Sequence, residues 1–409
     1  MKKEVNSFEE LRKIIVNLSM KNLDFEWKRD ITWNYSINGI RTFRGLFQGT
    51  SFTRIVMDCG EIEVDDLSYM FHGCNNLREV ELYFFDPFGF RSAESMFEGC
   101  SCLTYVDLCR MDFSDCESMA SMFKDCSLLY KLDICNIEVE SLKDCSNMFK
   151  GCKKLTELTL PGSKDLAVTN LSSMFRGCTN LNSINFDWNT RNVERMDYMF
   201  CGCSNLVYAS TEGLETGNVK TMDYMFAFCN SLGAESIRGI ENFDTHNVES
   251  MISMFMENRG ITKLDLDQWY VNCVRSFGAM FERCYNLRSV KFTGWNTESL
   301  EFTTSMFKDC YSLEDIYDLE KFDYYNVKST KEMFRNCKSL SSIDLYDLYF
   351  GGKVIVDDMF TDCQAEIEYP LDEYSRNILM SSDVRNESVT VGAEYNEQKG
   401  TPFDTSHLF

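Results

Sequence analysis

Residues 193–206 read VERMDYMFCGCSNL, and the pattern of their apolar side chains returns throughout the chain. These side chains fall at offsets 0, 3, 6, 7 and 10, which is the spacing of one face of a helix. The residues at these offsets are Val193, Met196, Met199, Phe200 and Cys203. We therefore expect a short helix or 3-10 segment here that buries Met199 and Phe200.

The Met-Phe dipeptide of this stretch recurs along most of the chain. Successive Met residues lie 25 to 29 residues apart, and a step of 26 is the commonest. In eleven of the twelve units a Cys follows the Phe by three residues, and Asn258 replaces it in the remaining unit. The twelve pairs begin at Met70, Met96, Met122, Met148, Met174, Met199, Met225, Met254, Met280, Met306, Met333 and Met359. A period this regular predicts a stacked array of repeats.

After the Cys, most units continue as L-x-x-[VIL]-x-[LIF], for example Leu155, Leu158 and Leu160. The last apolar positions alternate with period two, which predicts a short strand. One strand and one short helical segment in each repeat of this length is the leucine-rich-repeat pattern. We therefore predict an α/β leucine-rich-repeat solenoid with a parallel sheet on the concave side and short helices or 3-10 segments on the convex side.

Residues 1–44 lie outside the regular pattern, and we expect them to form an N-terminal cap. Ser7 and Glu10 make a capping box that predicts a helix over about residues 8–19. Residues 31–37 alternate between apolar and polar side chains, which predicts a strand. An array needs such a cap because its terminal coil would otherwise expose an apolar end.

Residues 45–363 are predicted to form the solenoid itself. Leu46 and Phe47 indicate a decayed first unit, so we expect about thirteen coils. After the last Cys the pattern fails, because Glu366 stands where Leu is expected. Residues 364–409 are therefore interpreted as a C-terminal cap and tail.

The repeat resembles the BspA-like leucine-rich repeats, whose units share a V-x-x-M-x-x-M-F-x-x-C-x-x-L block. Residues 193–206 match this block closely, and residues 248–255 match it up to Asn258, which replaces the Cys. The resemblance covers about residues 45–363. It implies a solenoid used for binding, in a family that includes bacterial surface proteins, often adhesins.

The charge of the chain limits its partners. There are 64 acidic and 41 basic residues, a formal net charge of −23. Such a chain repels phosphate backbones and anionic membranes, so we expect no direct binding to nucleic acid. No run of apolar residues is long enough to span a bilayer, so membrane insertion is not expected. The first residues lack the apolar stretch of a secretory signal, which favours a cytoplasmic location, with the cell surface as the alternative.

The residues that usually carry chemistry do not form a recognisable motif. The chain has nineteen Cys but no C-x-x-C pair, so we expect free thiols and no metal site. The three histidines are far apart in sequence, at His72, His246 and His407. No nucleophile elbow, zinc-protease motif or phosphate loop occurs. We therefore predict a protein that is not an enzyme and that uses no cofactor.

The candidate binding residues lie between the apolar positions of the predicted strands, where side chains point away from the core. Acidic residues and tyrosines predominate at these positions. Tyrosine supplies contact area at low entropic cost, and carboxylates attract basic surfaces. The predicted partner-binding residues are Glu79, Glu81, Tyr83, Tyr105, Asp107, Asp133, Glu157, Tyr208, Asp265, Asp267, Tyr317 and Asp344.

The predicted function is therefore a binding module that recognises another protein, for which a basic surface would be complementary. Two alternatives stay open from the sequence. One is a surface adhesin of the BspA type, and the other is an acidic inhibitor that mimics the charge of a nucleic acid. Because Asp after the strand's Leu belongs to the repeat pattern, part of the acidic row has a purely structural interpretation.

Overall fold

The computed structural model describes residues 3–21, 24–28, 35–37, 39–61, 63–85, 89–108, 110–135, 137–162, 167–185, 188–211, 213–233 and 237–382. Contacts within the chain divide it into two units, Met1–Val193 and Glu194–Phe409. Each unit repeats the same coil, in which one short strand is followed by a turn and a Met-Phe segment.

The first unit consists of parallel strands and one helix. Its elements are β1 (Lys3–Val5), α1 (Phe8–Ser19), β2 (Asp24–Lys28), β3 (Tyr35–Ile37), β4 (Arg54–Glu61), β5 (Glu79–Phe85), β6 (Tyr105–Asp107), β7 (Lys131–Asp133), β8 (Glu157–Thr159) and β9 (Ser183–Asn185). Strands β2, β4, β5 and β6 pair in that order, while β1 pairs with β3 and β7 with β8. All of these pairs are parallel.

The second unit has the same organisation. Its elements are β10 (Tyr208–Ser210), β11 (Ile237–Arg238), a 3-10 turn (Ile240–Asn242), β12 (Lys263–Asp265), β13 (Ser289–Lys291), β14 (Asp315–Tyr317), a second 3-10 turn (Leu319–Lys321), β15 (Ser342–Asp344), β16 (Glu366–Glu368) and α2 (Glu373–Ser381). Strand β10 pairs with β11, β12 with β13, β13 with β14, and β15 with β16, all in parallel. The predicted parallel solenoid with one strand in each repeat is confirmed.

The Met-Phe segments form consecutive tight turns, in which only alternate amides bond three residues back, instead of the predicted short helix or 3-10 segment. Around Phe97, alternate amides donate to carbonyl groups of the next coil at N···O distances of 2.8 to 2.9 Å. The donors are Ala93, Ser95, Phe97 and Gly99, and the acceptors are Ser118, Ala120, Met122 and Lys124. The amides of Met96, Glu98 and Cys100 instead bond to carbonyl groups three residues back within their own coil. A helix would need each amide for a bond four residues back, so this pattern replaces it.

The backbone of each Met-Phe turn enters the left-handed region at two positions. In the coil of Phe97 these are Ser95, with φ 53°, and Gly99, with φ 76°. A left-handed residue interrupts a helix. The sequence shows the spacing of a helix because each turn is closed by a hydrogen bond between residues three apart. Residues three apart therefore place their side chains on the same side of the segment, as they do in a helix.

The phenylalanines of successive Met-Phe turns stack on one another inside each unit. In the first unit the rings from Phe47 to Phe175 have centroids 5.1 to 5.8 Å apart. In the second unit the rings from Phe200 to Phe360 are 5.5 to 5.9 Å apart. These distances suit stacked aromatic pairs. The stacks therefore form the centre of a core that single coils share with their neighbours.

The repeated cysteines form a row of hydrogen bonds that we call the thiol ladder. In each case Sγ donates to the carbonyl oxygen of the Phe in the preceding coil, at 3.0 to 3.2 Å. The donors are Cys74, Cys100, Cys126, Cys152, Cys178, Cys229, Cys284, Cys310 and Cys337. Burial raises the pKa of the Cys284 thiol to about 12, which keeps it protonated as a donor. The regular recurrence of Cys along the chain is thus explained by its packing and its hydrogen bond to the preceding coil.

Tryptophans make a second set of bonds between coils. The buried indoles of Trp269 and Trp295 donate to the carbonyl oxygens of Ile240 and Leu266, each at 2.9 Å. Their rings stack with centroids 6.3 Å apart. Both indoles therefore belong to the core and are not available to a ligand.

The N-terminal end follows the prediction where the structure describes it. Helix α1 spans Phe8–Ser19, and the Ser7 side chain accepts a hydrogen bond from the Glu10 amide at 3.2 Å. Strand β3 covers residues 35–37 of the predicted strand, and residues 31–34 lie outside the described residues. The decayed unit forms the same turn as the others, with the Phe47 amide 2.8 Å from its acceptor in the next coil.

The C-terminal end contains one more strand than the sequence pattern indicates. Strand β16 begins three residues after Cys363, whereas β15 begins five residues after Cys337. The pattern fails in the sequence because these two residues are missing, not because the strand is absent. Helix α2 follows and buries Leu379. The boundaries of the cap regions, 1–44 and 364–409, and of the solenoid, 45–363, stay predictions.

The thiol ladder predicts a cost for removing one thiol. We expect Cys126→Ala to lower the free energy of unfolding by about 1–3 kcal/mol, because the Phe97 carbonyl oxygen would lose a buried partner. Urea unfolding followed by circular dichroism measures this. The exposed Cys135 is the matched control, and Cys135→Ala should stay within about 0.5 kcal/mol. Equal stability of the two variants would contradict a stabilising role for the ladder.

The ladder is interrupted at Asn258, which gives a prediction of the opposite sign. Asn258 is buried, and its Nδ2 has no hydrogen-bond partner among the described residues. Asn258→Cys should raise the free energy of unfolding by about 1 kcal/mol, because the unpaired amide is replaced by the repeat's own donor. Cys310→Asn in a regular coil is the reciprocal control and should be destabilising. Loss of stability in Asn258→Cys would show that this coil has a different packing requirement.

Candidate functional site

The strands position the candidate residues by alternation. In three-residue strands such as β7, β12 and β15, the central side chain is buried and the flanking two are exposed. Because parallel strands pair in register, flanking residues of successive coils form rows on one surface, which we call the strand face. The strand face is described separately in each unit.

In the first unit the acidic residues of the strand face surround one arginine. Arg54 lies 3.1 Å from Glu26, 3.3 Å from Glu79 and 2.7 Å from Glu81, in each case between side-chain nitrogen and carboxylate oxygen. The hydrogen bond to Glu81 is the main cause that raises the pKa of Arg54. Arg54 therefore offsets part of the charge of Glu79 and Glu81, and these carboxylates offer less charge to a partner than the sequence indicates.

Tyr83 is also held by its neighbours. Its hydroxyl donates to Glu81 at 2.7 Å and lies 3.4 Å from an Asp107 oxygen. The Arg110 guanidinium stands 5.0 Å from the centre of its ring. The hydrogen bond to Glu81 raises the pKa of Tyr83 far above its usual value. This part of the strand face is a closed network of polar contacts.

The other predicted residues of the first unit are more accessible. Tyr105 stands beside Glu79 in register and is 51% exposed. Asp133 is exposed, while Glu157 forms an ion pair with Lys131 at 2.9 Å. The strand face of this unit therefore mixes paired charges with one exposed aromatic side chain.

In the second unit, three predicted residues have partners within the chain. The Arg238 guanidinium is 5.6 Å from the centre of the Tyr208 ring. Asp265 pairs with Lys291 at 3.4 Å, and Asp267 accepts a hydrogen bond from the Thr293 amide at 3.0 Å. These contacts occur between neighbouring coils, so they contribute to stacking as well as to the surface.

The last three strands of the second unit carry a different surface, which we call the acidic patch. It consists of five exposed residues on β14, β15 and β16. They are Asp315, Tyr317, Asp344, Glu366 and Glu368. Across the described part of the chain, no Lys, Arg or His nitrogen lies within 4.0 Å of these carboxylates. Tyr317 is 47% exposed, and the exposed Tyr346 follows β15. Of the predicted residues, Tyr317 and Asp344 fall in this patch.

The comparisons with known proteins place the chain in a family. Residues 19–131, 143–255, 207–301 and 264–373 match the family described as "Mycoplasma protein of unknown function, DUF285". The chain belongs to this family. No curated protein matches it. The match confirms the resemblance to BspA-like repeats that the Met-Phe-x-x-Cys motif predicted.

Solved structures share the fold. A leucine-rich repeat protein from Bacteroides ovatus aligns with a TM-score of 0.53 at 19% sequence identity, over 85% of this chain and 81% of that one. A leucine-rich cell surface protein from Faecalibacterium prausnitzii aligns with a TM-score of 0.41 at 17% identity, over 88% of this chain and 90% of that one. The first alignment establishes the leucine-rich-repeat solenoid, a fold that typically presents binding surfaces.

Among the described residues, the histidines do not cluster with other titratable groups in the way that a catalytic or metal site requires. His72 lies 4.0 Å from Glu98, and the exposed His246 pairs with Asp244 at 2.6 Å in another coil. Among the residues that the structure describes, no three His, Cys, Asp or Glu side chains are grouped as a metal would require. No helix in the same part of the chain is both long and apolar enough to cross a bilayer.

Sequence reasoning missed two features of the site. Arg54 lies beside the apolar Ile55 of the decayed first coil, and it is absent from the predicted residues because only acidic residues and tyrosines were considered as candidates. Glu366 and Glu368 were assigned to the cap because the spacing after Cys363 is two residues short. Aligning the apolar Ile367 with Ile343 of β15, as the strand pairing does, would have found both glutamates.

Proposed function

We propose that this protein is a non-enzymatic binding module that recognises a basic protein through the acidic patch of its second unit. The observation that carries the proposal is the charge of β14, β15 and β16, where none of the four exposed carboxylates has a Lys, Arg or His nitrogen within 4.0 Å among the described residues. Lys291, the neighbour of Tyr317 on β13, pairs with Asp265 instead. In the first unit the corresponding carboxylates Glu79 and Glu81 are paired with Arg54. The acidic patch therefore has the stronger unbalanced charge.

The proposed interaction has two physical components. Unpaired carboxylates attract a basic surface from a distance of about one Debye length, roughly 8–10 Å at physiological salt, and so accelerate encounter. Tyr317 and Tyr346 then supply contact area, because Tyr loses little entropy when its ring is fixed. Nucleic acid is not proposed as a direct partner, since the formal net charge of −23 opposes it.

A charge-neutralised variant tests the patch. The variant Asp344→Asn/Glu366→Gln/Glu368→Gln should bind a fluorescent octa-lysine peptide about tenfold more weakly than the wild type, because attraction between unscreened charges is lost. Fluorescence anisotropy at low salt measures this. The matched control Asp115→Asn/Glu138→Gln/Glu140→Gln removes the same charge from exposed sites of the first unit and should change affinity less than about twofold. Equal losses in both variants would mean that only the net charge matters.

An aromatic truncation tests the contact component. Tyr317→Ala should weaken capture of a native basic partner about fivefold or more, because a central Tyr commonly contributes at least 1 kcal/mol. Tyr270→Ala is the control, because it removes an exposed Tyr that follows β12, outside the acidic patch, and that stacks on His246. Unchanged affinity in Tyr317→Ala would move the site away from this patch. Competition by duplex DNA for the captured partner would favour the charge-mimicry alternative.

A further inference from the structure

A surface cavity of about 830 Å³ adjoins the acidic patch. Its walls come from the segments that follow β14 and β15, namely residues 320–325 and residues 347 and 349. Both segments leave the strands that carry Tyr317 and Asp344. A partner lying on the acidic patch could therefore place a side chain into this cavity.

One wall of the cavity is aromatic. The rings of Tyr325 and Tyr349 stack with centroids 5.9 Å apart and an angle of 21° between their planes. Tyr325 is 55% exposed and Tyr349 is 51% exposed, so their faces and edges are accessible from solvent. Stacked Tyr rings attract planar cations through their negative faces.

The rest of the lining is predominantly anionic. Glu320, Asp323 and Asp347 line the cavity, and no basic nitrogen within the described residues lies within 4.0 Å of their carboxylates. Lys321 also lines it, but its ammonium group pairs with Asp318, and this hydrogen bond is the main cause that raises the pKa of Lys321. The ammonium group of the lining Lys321 is thus balanced by Asp318, and the three lining carboxylates keep their negative charge.

A buried hydroxyl in the lining lacks a partner. Tyr324 is 2% exposed, and its Oη has no hydrogen-bond partner among the residues that the structure describes. Burial, together with the charge of Glu320, raises the pKa of this hydroxyl, so it is neutral and can accept a hydrogen bond. Because this hydroxyl is enclosed by the protein, it is not a contact for a ligand, and the chemistry of the cavity rests on the two stacked rings and the three carboxylates.

We propose that this cavity receives an arginine side chain of the protein that binds the acidic patch. This inference rests on the proposed function, and it adds that one of the partner's contact residues is an arginine. A guanidinium has a planar face for Tyr325 and Tyr349 and five N–H donors for the surrounding oxygens. An ammonium group on lysine offers charge without the planar face, so the cavity should discriminate between the two.

Fluorescent octa-arginine, octa-lysine and octa-citrulline peptides test the proposal by anisotropy with the full chain. We expect octa-arginine to bind about fivefold or more tightly than octa-lysine, and octa-citrulline to bind negligibly, because stacking and charge must act together. The double variant Asp347→Asn/Tyr349→Ala should lose both this preference and about tenfold in octa-arginine affinity. Tyr349→Phe keeps the ring and should retain the preference.

The matched control is Asp357→Asn/Tyr270→Ala, which removes the same groups from exposed positions away from the cavity. Tyr270 occupies the repeat position of Tyr349, five residues after the last residue of its strand. The control should keep the arginine preference, and circular dichroism should show that both double variants are folded.

The outcomes separate this inference from the proposed function. Equal binding of octa-arginine and octa-lysine by the wild type would overturn the arginine site while leaving the acidic patch intact. Retention of the preference in Asp347→Asn/Tyr349→Ala would do the same. Failure of the wild type to bind either cationic peptide would instead overturn the proposed function, and the arginine site with it.

Discussion

Within each unit, the structure depends on backbone hydrogen bonds that run from one Met-Phe turn to the next. A single coil has two apolar residues in this turn but no second layer to cover them, so it is stable only when stacked. The alternate amides fix the spacing between coils, and at that spacing the phenylalanine rings stack and each thiol reaches a carbonyl oxygen. Ring stacking and the thiol ladder are consequences of this backbone register, and both reinforce it.

Because these contacts lie in the turns and the core, the exposed residues of the strand face can vary from coil to coil without disrupting the stack. The turns and the core positions make the contacts that every coil repeats, whereas the flanking residues of a three-residue strand pair between coils only in some places. The same frame therefore supports two different surfaces. Around Arg54 one guanidinium offsets part of the charge of three carboxylates, while on β14 to β16 no Lys, Arg or His nitrogen of the described residues lies within 4.0 Å of the carboxylates. The charge of each strand face thus depends on pairing between coils and not on the repeat itself.

The sequence predicts the frame better than the surface. Met-Phe-x-x-Cys at a constant period indicates the coil, the strand and the fold family, because each core position is repeated many times. It does not separate a helix from tight turns, since both return side chains at three-residue spacing. It also cannot give the pairing of Arg54 with Glu81, because that contact depends on the register between coils. The cavity beside Tyr325 and Tyr349 depends on where two segments approach each other in space, which no local pattern reports.

The coil around Asn258 shows how the frame tolerates a defect. The step from Met225 to Met254 is 29 residues, a three-residue insertion relative to the common step of 26, and the unpaired Asn258 amide leaves the thiol ladder without a donor in this coil. The Phe226 amide nevertheless bonds to the Met254 carbonyl oxygen at 2.9 Å. In this region Tyr224, Ala227, Phe228 and Met256 form a buried apolar cluster with Cys201. A later coil has the charged Glu282 and Arg283 at the positions of Ala227 and Phe228. Apolar burial thus offsets the lost hydrogen bond locally. The register of β12 to β14 is preserved beyond the insertion, and with it the alignment of the carboxylates on the acidic patch.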